Sequence, residues 1–241
     1  MMTFSFRAIY AVAVLAVMVV VSLALASDTT KAPAAASKPA AASTATAPTA
    51  AAPATTAATK LKAVAPKAKI VDFEGKKSPL EFYWIGITDS IMQGVSTVTA
   101  TIAPDGASGT KQSLKIEGSV VAGKNPYIMF AGTASRFEAE KAMYDVTGFT
   151  GIKFWAKGDG NTYRIDLPCA AVTDYMFHYA PFTPPAGEWK EYKIAFADLK
   201  QMPYGKKVAW TGTDVLGLQF FTVGGPIPKF SLQVDEIEFY K

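Results

Sequence analysis

Short runs in which apolar and polar residues alternate fill the sequence from Ile70 to the C terminus, and Gly, Pro, Asn and Asp separate them. A period of two is typical of a β-strand with one buried face, and no long amphipathic helical pattern interrupts it. The runs predict strands at 69–74, 94–102, 111–118, 126–132, 151–157, 162–168, 174–180, 189–196, 215–222 and 229–240. Short helical turns are predicted near 135–143 and 197–201. So many short strands in one domain predict an all-β fold, an antiparallel sandwich or barrel.

Two features of the later strands have structural interpretations. Trp189 follows a Pro-Pro-Ala-Gly turn and leads into an apolar stripe, which predicts that its ring anchors the core. In the last run the alternation breaks, because Val234 and Ile237 are three residues apart. A β-bulge at Asp235–Glu236 would return both side chains to the core face.

The N-terminal part of the chain has a different character. Arg7 precedes an apolar run over residues 8–21, and Ala24-Leu25-Ala26 offers small residues at the spacing that signal peptidase reads. We predict that residues 1–26 are an export signal and that the mature chain begins at Ser27, as a secreted or periplasmic protein. The alternative is an uncleaved membrane anchor, because the run approaches the ~18 residues that span a bilayer.

Residues 27–69 contain almost only Ala, Pro, Thr, Ser and Lys, with no aromatic residue, which predicts a disordered linker. The linker carries six lysines against one acid, so the predicted domain, residues 70–241, holds 17 basic and 19 acidic residues. A domain without excess positive charge is not expected to bind nucleic acid. Cys169 is the only cysteine, so stability must come from the core and not from an intramolecular disulfide.

The sequence lacks the motifs of well-known catalytic sites. His178 is the only histidine, and no H-E-x-x-H, G-x-S-x-G or P-loop motif occurs. A glycoside hydrolase needs two suitably spaced carboxyl groups, and Asp166 is a candidate for one, but nothing marks its partner. The sequence therefore favours a protein that is not an enzyme.

The segment GIKFWAKGDGNTYRIDL, residues 151–167, reads as two strands joined by a Gly-Asp-Gly turn. With a period of two, its apolar side chains face the core, and Trp155, Arg164 and Asp166 face outward. This set suits a sugar, because an aromatic ring stacks on pyranose C–H groups while charged side chains bind hydroxyls. We predict that these three residues form a carbohydrate-binding face. The alternative is a covered face, on which Arg164 and Asp166 form a surface ion pair.

The segment DYMFHYAPF, residues 174–182, adds candidates whose register is open. If Phe182 faces the core, Tyr175 and Tyr179 lie on the same open surface as the predicted carbohydrate site. In the opposite register, His178 is exposed instead.

Five segments resemble, in order, the complex I intermediate-associated protein 30 domain and the related family 11 carbohydrate-binding modules. They are VDFEG at 71–75, TDSIMQGVS at 88–96, DVTGFTGIKFWAKGDGNTYRIDL at 145–167, FTPPAGEWKEYKIAFADL at 182–199 and FSLQVDEIEFY at 230–240. The resemblance covers nearly all of residues 70–241 and implies a galactose-binding-like jelly-roll β-sandwich. Gln93 stands where the first relatives have a glycine, so a positive φ there must be tolerated by a non-glycine residue.

The two groups of relatives, the complex I intermediate-associated protein 30 domains and the family 11 carbohydrate-binding modules, imply different functions. The glucan-binding relatives use tyrosines with an Arg and an Asp on the concave sheet, which matches Arg164, Asp166 and Tyr175 or Tyr179 by strand position. The mitochondrial relatives act as assembly factors through protein contacts.

The resemblance also implies a structural calcium between the first and last strands. Glu74 and Asp235 are the matching candidates, because hard oxygen ligands suit this ion. The alternative is that Asp235 and Glu236 only satisfy backbone groups at the bulge.

The sequence thus predicts an exported, tethered jelly-roll module without catalytic activity that binds a polysaccharide or glycan on an open sheet face. One alternative is a protein-interaction module for envelope assembly, with an envelope protein as its partner. The other is a glycoside hydrolase. Contact with the membrane is expected only if the N-terminal segment stays uncleaved.

Overall fold

The computed structural model describes residues 62–64, 66–75, 84–126, 128–137 and 142–241. The predicted export signal and most of the predicted linker lie outside the described residues. The described strands are β1 Lys62–Val64, β2 Lys69–Val71, β3 Ile85–Thr88, β4 Thr97–Pro104, β5 Gln112–Val120, β6 Ala131–Arg136, β7 Ala142–Tyr144, β8 Gly151–Lys157, β9 Tyr163–Leu167, β10 His178–Phe182, β11 Lys190–Ala195, β12 Gly217–Thr222 and β13 Ile227–Tyr240. Two 3-10 turns, Asp89–Met92 and Phe196–Asp198, are the helical elements of this part. No helix within it is long and apolar enough to cross a membrane.

The strands form two antiparallel sheets. The order in the five-stranded sheet is β10-β9-β12-β6-β3. The order in the six-stranded sheet is β11-β8-β13-β5-β4, and β2 pairs with β13. A short parallel pair of β1 and β7 is separate from both. The antiparallel all-β sandwich predicted from the strand pattern is confirmed.

Aromatic rings from both sheets meet in the core. The ring of Phe154 in β8 lies 5.0 Å from that of Phe182 in β10 and 5.6 Å from that of Phe220 in β12, each in an edge-to-face arrangement. Such pairs stabilise a fold by about 0.5–1.5 kcal/mol each beyond the burial of their area. Inward residues of the two sheets therefore fix the sheets to each other, and each strand presents its alternate residues outward.

The predicted strand at 174–180 is displaced toward the C terminus, and β10 begins only at His178. Tyr175 has a φ of 62°, a left-handed conformation that ends any extended run. The carboxylate of Asp174 accepts a hydrogen bond from the N–H of Met176 at 3.1 Å, so this segment forms a local turn.

Other local predictions have mixed outcomes. The strand predicted at 126–132 lies at β6 instead, and β6 continues into the range where a helical turn was predicted at 135–143. The four-residue strand β3 was not predicted, because a glycine interrupts its apolar pattern. The turn predicted at 197–201 is formed by Phe196–Asp198.

Two predicted backbone irregularities are confirmed. The register of β13 shifts between Asp235 and Glu238, and Glu236 has a φ of 51°, as a bulge requires. Gln93 has a φ of 64° and ends the first 3-10 turn. A non-glycine residue therefore does adopt the left-handed conformation at this position.

Candidate functional site

The Gly-Asp-Gly segment joins strands of different sheets, so the predicted grouping of Trp155 with Arg164 and Asp166 is wrong. Trp155 belongs to β8 in the six-stranded sheet, whereas the other two belong to β9 in the five-stranded sheet. Outward side chains of β8 and β9 therefore lie on opposite outer surfaces of the sandwich. Alternation assigns a side chain to one face of its own strand, but it does not reveal which sheet the strand joins.

Asp159 stabilises the crossing between the two sheets. One oxygen of its carboxylate accepts hydrogen bonds from the N–H of Asn161 and the hydroxyl of Tyr163, both at 3.0 Å. The other oxygen accepts one from the N–H of Ser231 in β13 at 2.8 Å. Gly160 has a φ of 84°, which a glycine adopts without strain.

Trp155 lies among charged side chains on the outer surface of the six-stranded sheet, which we call the six-stranded face. It is half-buried and stands opposite Glu191 on one side and Asp235 on the other. Nearby on the same strand, the ammonium of Lys153 forms an ion pair with Glu238 at 2.5 Å. This face is a network of paired charges around one ring.

The prediction that Trp189 anchors the core is also wrong. Its ring is half-buried, and its Nε1 donates a hydrogen bond to the carboxylate of Asp105 at 3.4 Å. The ammonium of Lys157 lies 5.0 Å from the ring centroid and forms an ion pair with the same carboxylate. The ring thus fixes a turn beside the six-stranded face, because the alternation of β11 points residue 189 outward.

The outer surface of the five-stranded sheet, which we call the five-stranded face, carries two rows of side chains in register. The first row is Tyr179, Asp166, Gln219 and Ala134. The second row is Pro181, Arg164, Phe221 and Gly132. Aromatic, charged and amide side chains therefore lie on β10, β9 and β12, beside small residues on β6.

The guanidinium of Arg164 is held between two aromatic rings. Its Cζ lies 5.6 Å from the ring centroid of Tyr179 and 5.5 Å from that of Phe221. Its Nη1 lies 4.0 Å from the sulfur of Met202. Contacts of this kind keep a long side chain in one rotamer, so less entropy is lost when it binds a ligand.

Asp166 is a buried carboxyl group on this face, with 4% of its surface exposed. Its Oδ1 lies 3.1 Å from the Nε of Arg164, but the pair lacks hydrogen-bond geometry. Burial raises the pKa of Asp166 to about 7, although the Arg164 charge opposes the shift. The carboxyl group therefore changes protonation near neutral pH.

Three buried polar atoms on the five-stranded face have no hydrogen-bond partner among the described residues. They are the Nε of Arg136, the Nε of Arg164 and the Oδ1 of Asp166. A buried polar group left unsatisfied costs about 1–3 kcal/mol. These atoms are enclosed by the protein, so a ligand on this face would contact the partly exposed remainder of Arg136 and Arg164 and not these three atoms.

The structure resolves the register of the tyrosine-rich segment. His178 faces the interior, and Tyr179 faces outward over Arg164. Tyr175 precedes β10 in a loop, where its ring lies 5.9 Å from that of Phe177, so it is not part of the two rows. Of the two predicted tyrosines, only Tyr179 stands in register with Asp166.

The loop that contains Tyr175 is tied to residues 200–208. The carboxylate of Asp174 accepts a hydrogen bond from the N–H of Lys206 at 2.7 Å. The Nε2 of Gln201 donates one to the carbonyl of Met176 at 2.8 Å. Together with the backbone bridge between Lys200 and Tyr179, these bonds build a fixed rim along the edge of β10.

Residues 71–234 match the family of complex I intermediate-associated protein 30. The chain belongs to this family. The match extends from β2 into β13 and so includes the strands that form the five-stranded face.

Solved structures that resemble this family member include two family 11 carbohydrate-binding modules of Clostridium thermocellum. One, in complex with a β-1,3-1,4-mixed-linked tetrasaccharide, has a TM-score of 0.53 and 16% identity, and the likeness covers 71% of this chain and 94% of the module. The other, from a cellulosomal cellulase, has a TM-score of 0.53 and 16% identity, covering 73% of this chain and 96% of the module. At this identity the likeness shows the fold, and the predicted jelly-roll sandwich is confirmed.

Endoglucanase 3 of Fibrobacter succinogenes is 25% identical over 177 residues. The similarity covers 69% of this chain and 26% of the endoglucanase. This member of the family therefore spans about a quarter of the length of that relative.

Several residues of the five-stranded face were not predicted as site residues. A signal existed for Gln219 and Phe221, because alternation with the core residue Phe220 points both outward. No comparable signal marks Arg136, which fell in a predicted helical turn, or Met202, which lies in a loop.

Asp235, one of the two residues predicted to bind calcium, is buried and hydrogen-bonded to the protein itself. Its Oδ2 accepts hydrogen bonds from the N–H of Ala107 at 2.8 Å and the hydroxyl of Thr110 at 2.5 Å. Its Oδ1 accepts one from the N–H of Glu236 at 2.7 Å. Both oxygens therefore stabilise the bulge and the turn between β4 and β5.

Glu74, the second predicted ligand, holds the same turn. Its Oε1 accepts hydrogen bonds from the N–H groups of Lys111 at 2.6 Å and Gln112 at 2.7 Å. No group of three or more His, Cys, Asp or Glu residues suited to a metal occurs within the described ranges. These residues do not fit a calcium site as they stand, and calcium binding stays a prediction of the sequence.

Proposed function

We propose that this chain is a non-catalytic, exported module that binds a polysaccharide or glycan on the five-stranded face. The single observation that supports this most is the placement of the partly exposed Arg164 between two aromatic rings, where the buried carboxyl group of Asp166 forms an ion pair with it. Aromatic rings that stack on sugars, next to polar groups that bind hydroxyls, are the chemistry of carbohydrate recognition.

Each row residue has a role in this proposal. The half-buried ring of Tyr179 provides apolar surface for pyranose C–H groups, and the buried ring of Phe221 holds the Arg164 guanidinium. The partly exposed Arg164 provides hydrogen bonds to hydroxyls, and the buried carboxyl group of Asp166 orients the Arg164 guanidinium through the ion pair. Tyr175 has a secondary role at the rim.

The names of the similar proteins support a polysaccharide as the ligand. One of the modules was solved with a mixed-linked tetrasaccharide, and the matching relative is an endoglucanase. That tetrasaccharide is the ligand of the module, and the sugar bound by this chain is a separate question.

Binding without hydrolysis is proposed because glycosidases need paired carboxyl groups. On the described strands of the five-stranded face, Asp166 is the only carboxyl group in the two rows. A hydrolase would need a second carboxyl group across the scissile bond, so hydrolysis of a bound glycan would contradict this part of the proposal.

Export is proposed from the N-terminal sequence alone. N-terminal sequencing of the native protein from fractionated cells should return Ser27 as the first residue, in a fraction outside the cytoplasm. Recovery of intact Met1 in the membrane fraction would replace the cleaved signal with an anchor.

A protein-interaction module for envelope assembly is the second candidate, and membership of a family named for an assembly intermediate favours it. A polysaccharide and glycan array probed with the full chain separates the two candidates. Specific binding to one class of glycan supports the proposed function. A chain that binds no glycan but co-purifies with a defined envelope complex would support the second candidate instead.

A further inference from the structure

The six-stranded face carries ion-paired lysines as well as lysines, such as Lys193 and Lys229, that form no ion pair with a described residue. On the six-stranded face, Lys115 pairs with Glu117 at 2.9 Å and Lys153 pairs with Glu238 at 2.5 Å. Each basic group of these pairs has a neutralising partner. The charges of the five-stranded face point to a narrower class of ligand than glycans in general, and this conclusion rests on the proposed function.

The five-stranded face has two guanidinium groups and one carboxyl group among its outward strand residues. Arg136 ends β6 and lies opposite Gly217, and it points outward because its neighbour Ser135 is paired with the core residue Leu218. Arg136 forms no ion pair with any described residue, and its buried Nε lacks an acceptor. Arg136 therefore has no charged partner among the described residues.

The charge of Arg164 is compensated only in part. Its partner Asp166 is buried, and burial raises the pKa of this carboxyl group to about 7, so a neutral form is well populated at neutral pH. Arginine stays protonated throughout this range. The rows and the end of β6 together carry net positive charge near neutral pH.

The two arginines lie at opposite ends of a diagonal across the face. Arg164 is in register with Gly132, and Arg136 lies four residues further along β6 and two strands away. With strands ~4.8 Å apart and ~3.4 Å per residue, this offset is roughly 17 Å, the length of several sugar rings. Gln219 and Ala134 lie between them and are buried, so a ligand along the diagonal would contact the two partly exposed arginines at its ends and not these two residues.

We propose that the five-stranded face selects polysaccharides whose sugars carry carboxylate groups, such as polyuronates, over neutral glucans. A guanidinium presents N–H donors in a planar fork that matches the two oxygens of a carboxylate. A carboxylate on one sugar would engage Arg136, and another several sugars along would engage Arg164. Exposed Lys200, Lys206 and Lys207 on the rim add attraction for a polyanion.

Affinity electrophoresis and calorimetry of the full chain, with polygalacturonate and with neutral mixed-linkage β-glucan, test this inference. We expect polygalacturonate to bind more tightly and to lose affinity as salt is added, because salt screens charge. Binding to the neutral glucan should depend little on salt.

Arg136→Gln is the informative variant, and Lys229→Gln is its control, since it removes a positive charge from an exposed position of β13 in the other sheet. Arg136→Gln should weaken polygalacturonate binding about tenfold, the loss expected for one charged hydrogen bond. Arg136→Lys keeps the positive charge but lacks the planar guanidinium group. Its affinity for polygalacturonate should therefore lie between that of the parent chain and that of Arg136→Gln. Lys229→Gln should bind as the parent does, and unchanged melting temperatures would show that the variants fold.

The outcomes separate this inference from the proposed function. Tighter binding of the neutral glucan, or equal losses in Arg136→Gln and Lys229→Gln, would overturn selection of carboxylates and leave glycan binding intact. Binding of neither polymer, together with a blank glycan array, would overturn both.

Discussion

At the scale of single residues, Tyr179 and Trp155 allow a direct comparison of the two outer faces. Both rings are half-buried and point away from the core, but Tyr179 contacts Arg164 whereas Trp155 stands between Glu191 and Asp235. Tyr179→Ala should lower glycan affinity about tenfold, because it removes a stacking surface and frees a guanidinium, an effect of about 1.4 kcal/mol.

Trp155→Ala is the matched control for this prediction. Its glycan affinity, measured by calorimetry, should equal that of the parent chain. A loss of binding in Trp155→Ala with none in Tyr179→Ala would mean that the ligand lies on the six-stranded face.

Asp166 should make stability depend on pH. Its pKa in the folded chain is about 7, against an ordinary value of 3.8, because of burial. Between these values the folded chain binds a proton that the unfolded chain has released, so the free energy of unfolding falls as pH rises from about 4 to 7. Asp166→Asn should lose this slope in thermal unfolding measured across the range. An unchanged slope in the variant would show that Asp166 is not its source.

His178 should act in the opposite direction. Burial lowers its pKa, while the carbonyl of Val208 and the charge of Asp214 oppose the shift. Below the ordinary value of 6.5 the unfolded chain binds more protons at this site, so its contribution to stability is lost as pH falls. In a chain that already carries Asp166→Asn, we expect stability to decline on acidification below pH ~6.5 and His178→Gln to reduce that decline. Equal acid profiles of the two chains would contradict this assignment.

At the scale of strands, the sequence predicted most of the strands and the bulge in the last one, but it did not predict which sheet each strand joins. The bulge at Asp235–Glu236 was predictable because two core residues stood three apart, and the glycine that the relatives have at position 93 drew attention to the backbone of Gln93, which has a positive φ. The separation of Trp155 from Arg164 was not predictable, since whether a short turn makes a hairpin or crosses between sheets depends on distant contacts such as that of Asp159 with Ser231.

The turn between β4 and β5 gives a prediction at this scale. Asp235→Ala removes the acceptor for three hydrogen bonds, from Ala107, Thr110 and Glu236. We expect a loss of roughly 3 kcal/mol, or about 6–12 °C in melting temperature. The hydrogen bonds alone predict that EDTA and added Ca²⁺ leave the parent's melting temperature unchanged. A rise on adding Ca²⁺ that disappears in Asp235→Ala would support the calcium site instead.

At the scale of the whole molecule, the two outer faces should be separable by chemical labelling. Cys169 is buried and burial raises the pKa of its thiol, so an introduced exposed cysteine should react first. Pro181→Cys places a thiol on the five-stranded face, and Thr99→Cys places one on β4 in the other sheet, both at exposed positions. A bulky maleimide at residue 181 should abolish glycan binding, and the same label at residue 99 should leave it intact. Loss of binding with both labels would contradict the assignment.

The crossing at Asp159 has a consequence for how such a protein can diverge. Because β8 and β9 are neighbours in sequence but belong to different sheets, two adjacent stretches of a gene encode strands whose outward side chains lie on opposite surfaces of the sandwich. Substitutions that retune ligand preference on β9 need no compensation among the ion pairs around β8. New specificities can therefore arise on one surface while drift on the other proceeds independently, provided that the inward residues of both strands keep the core intact.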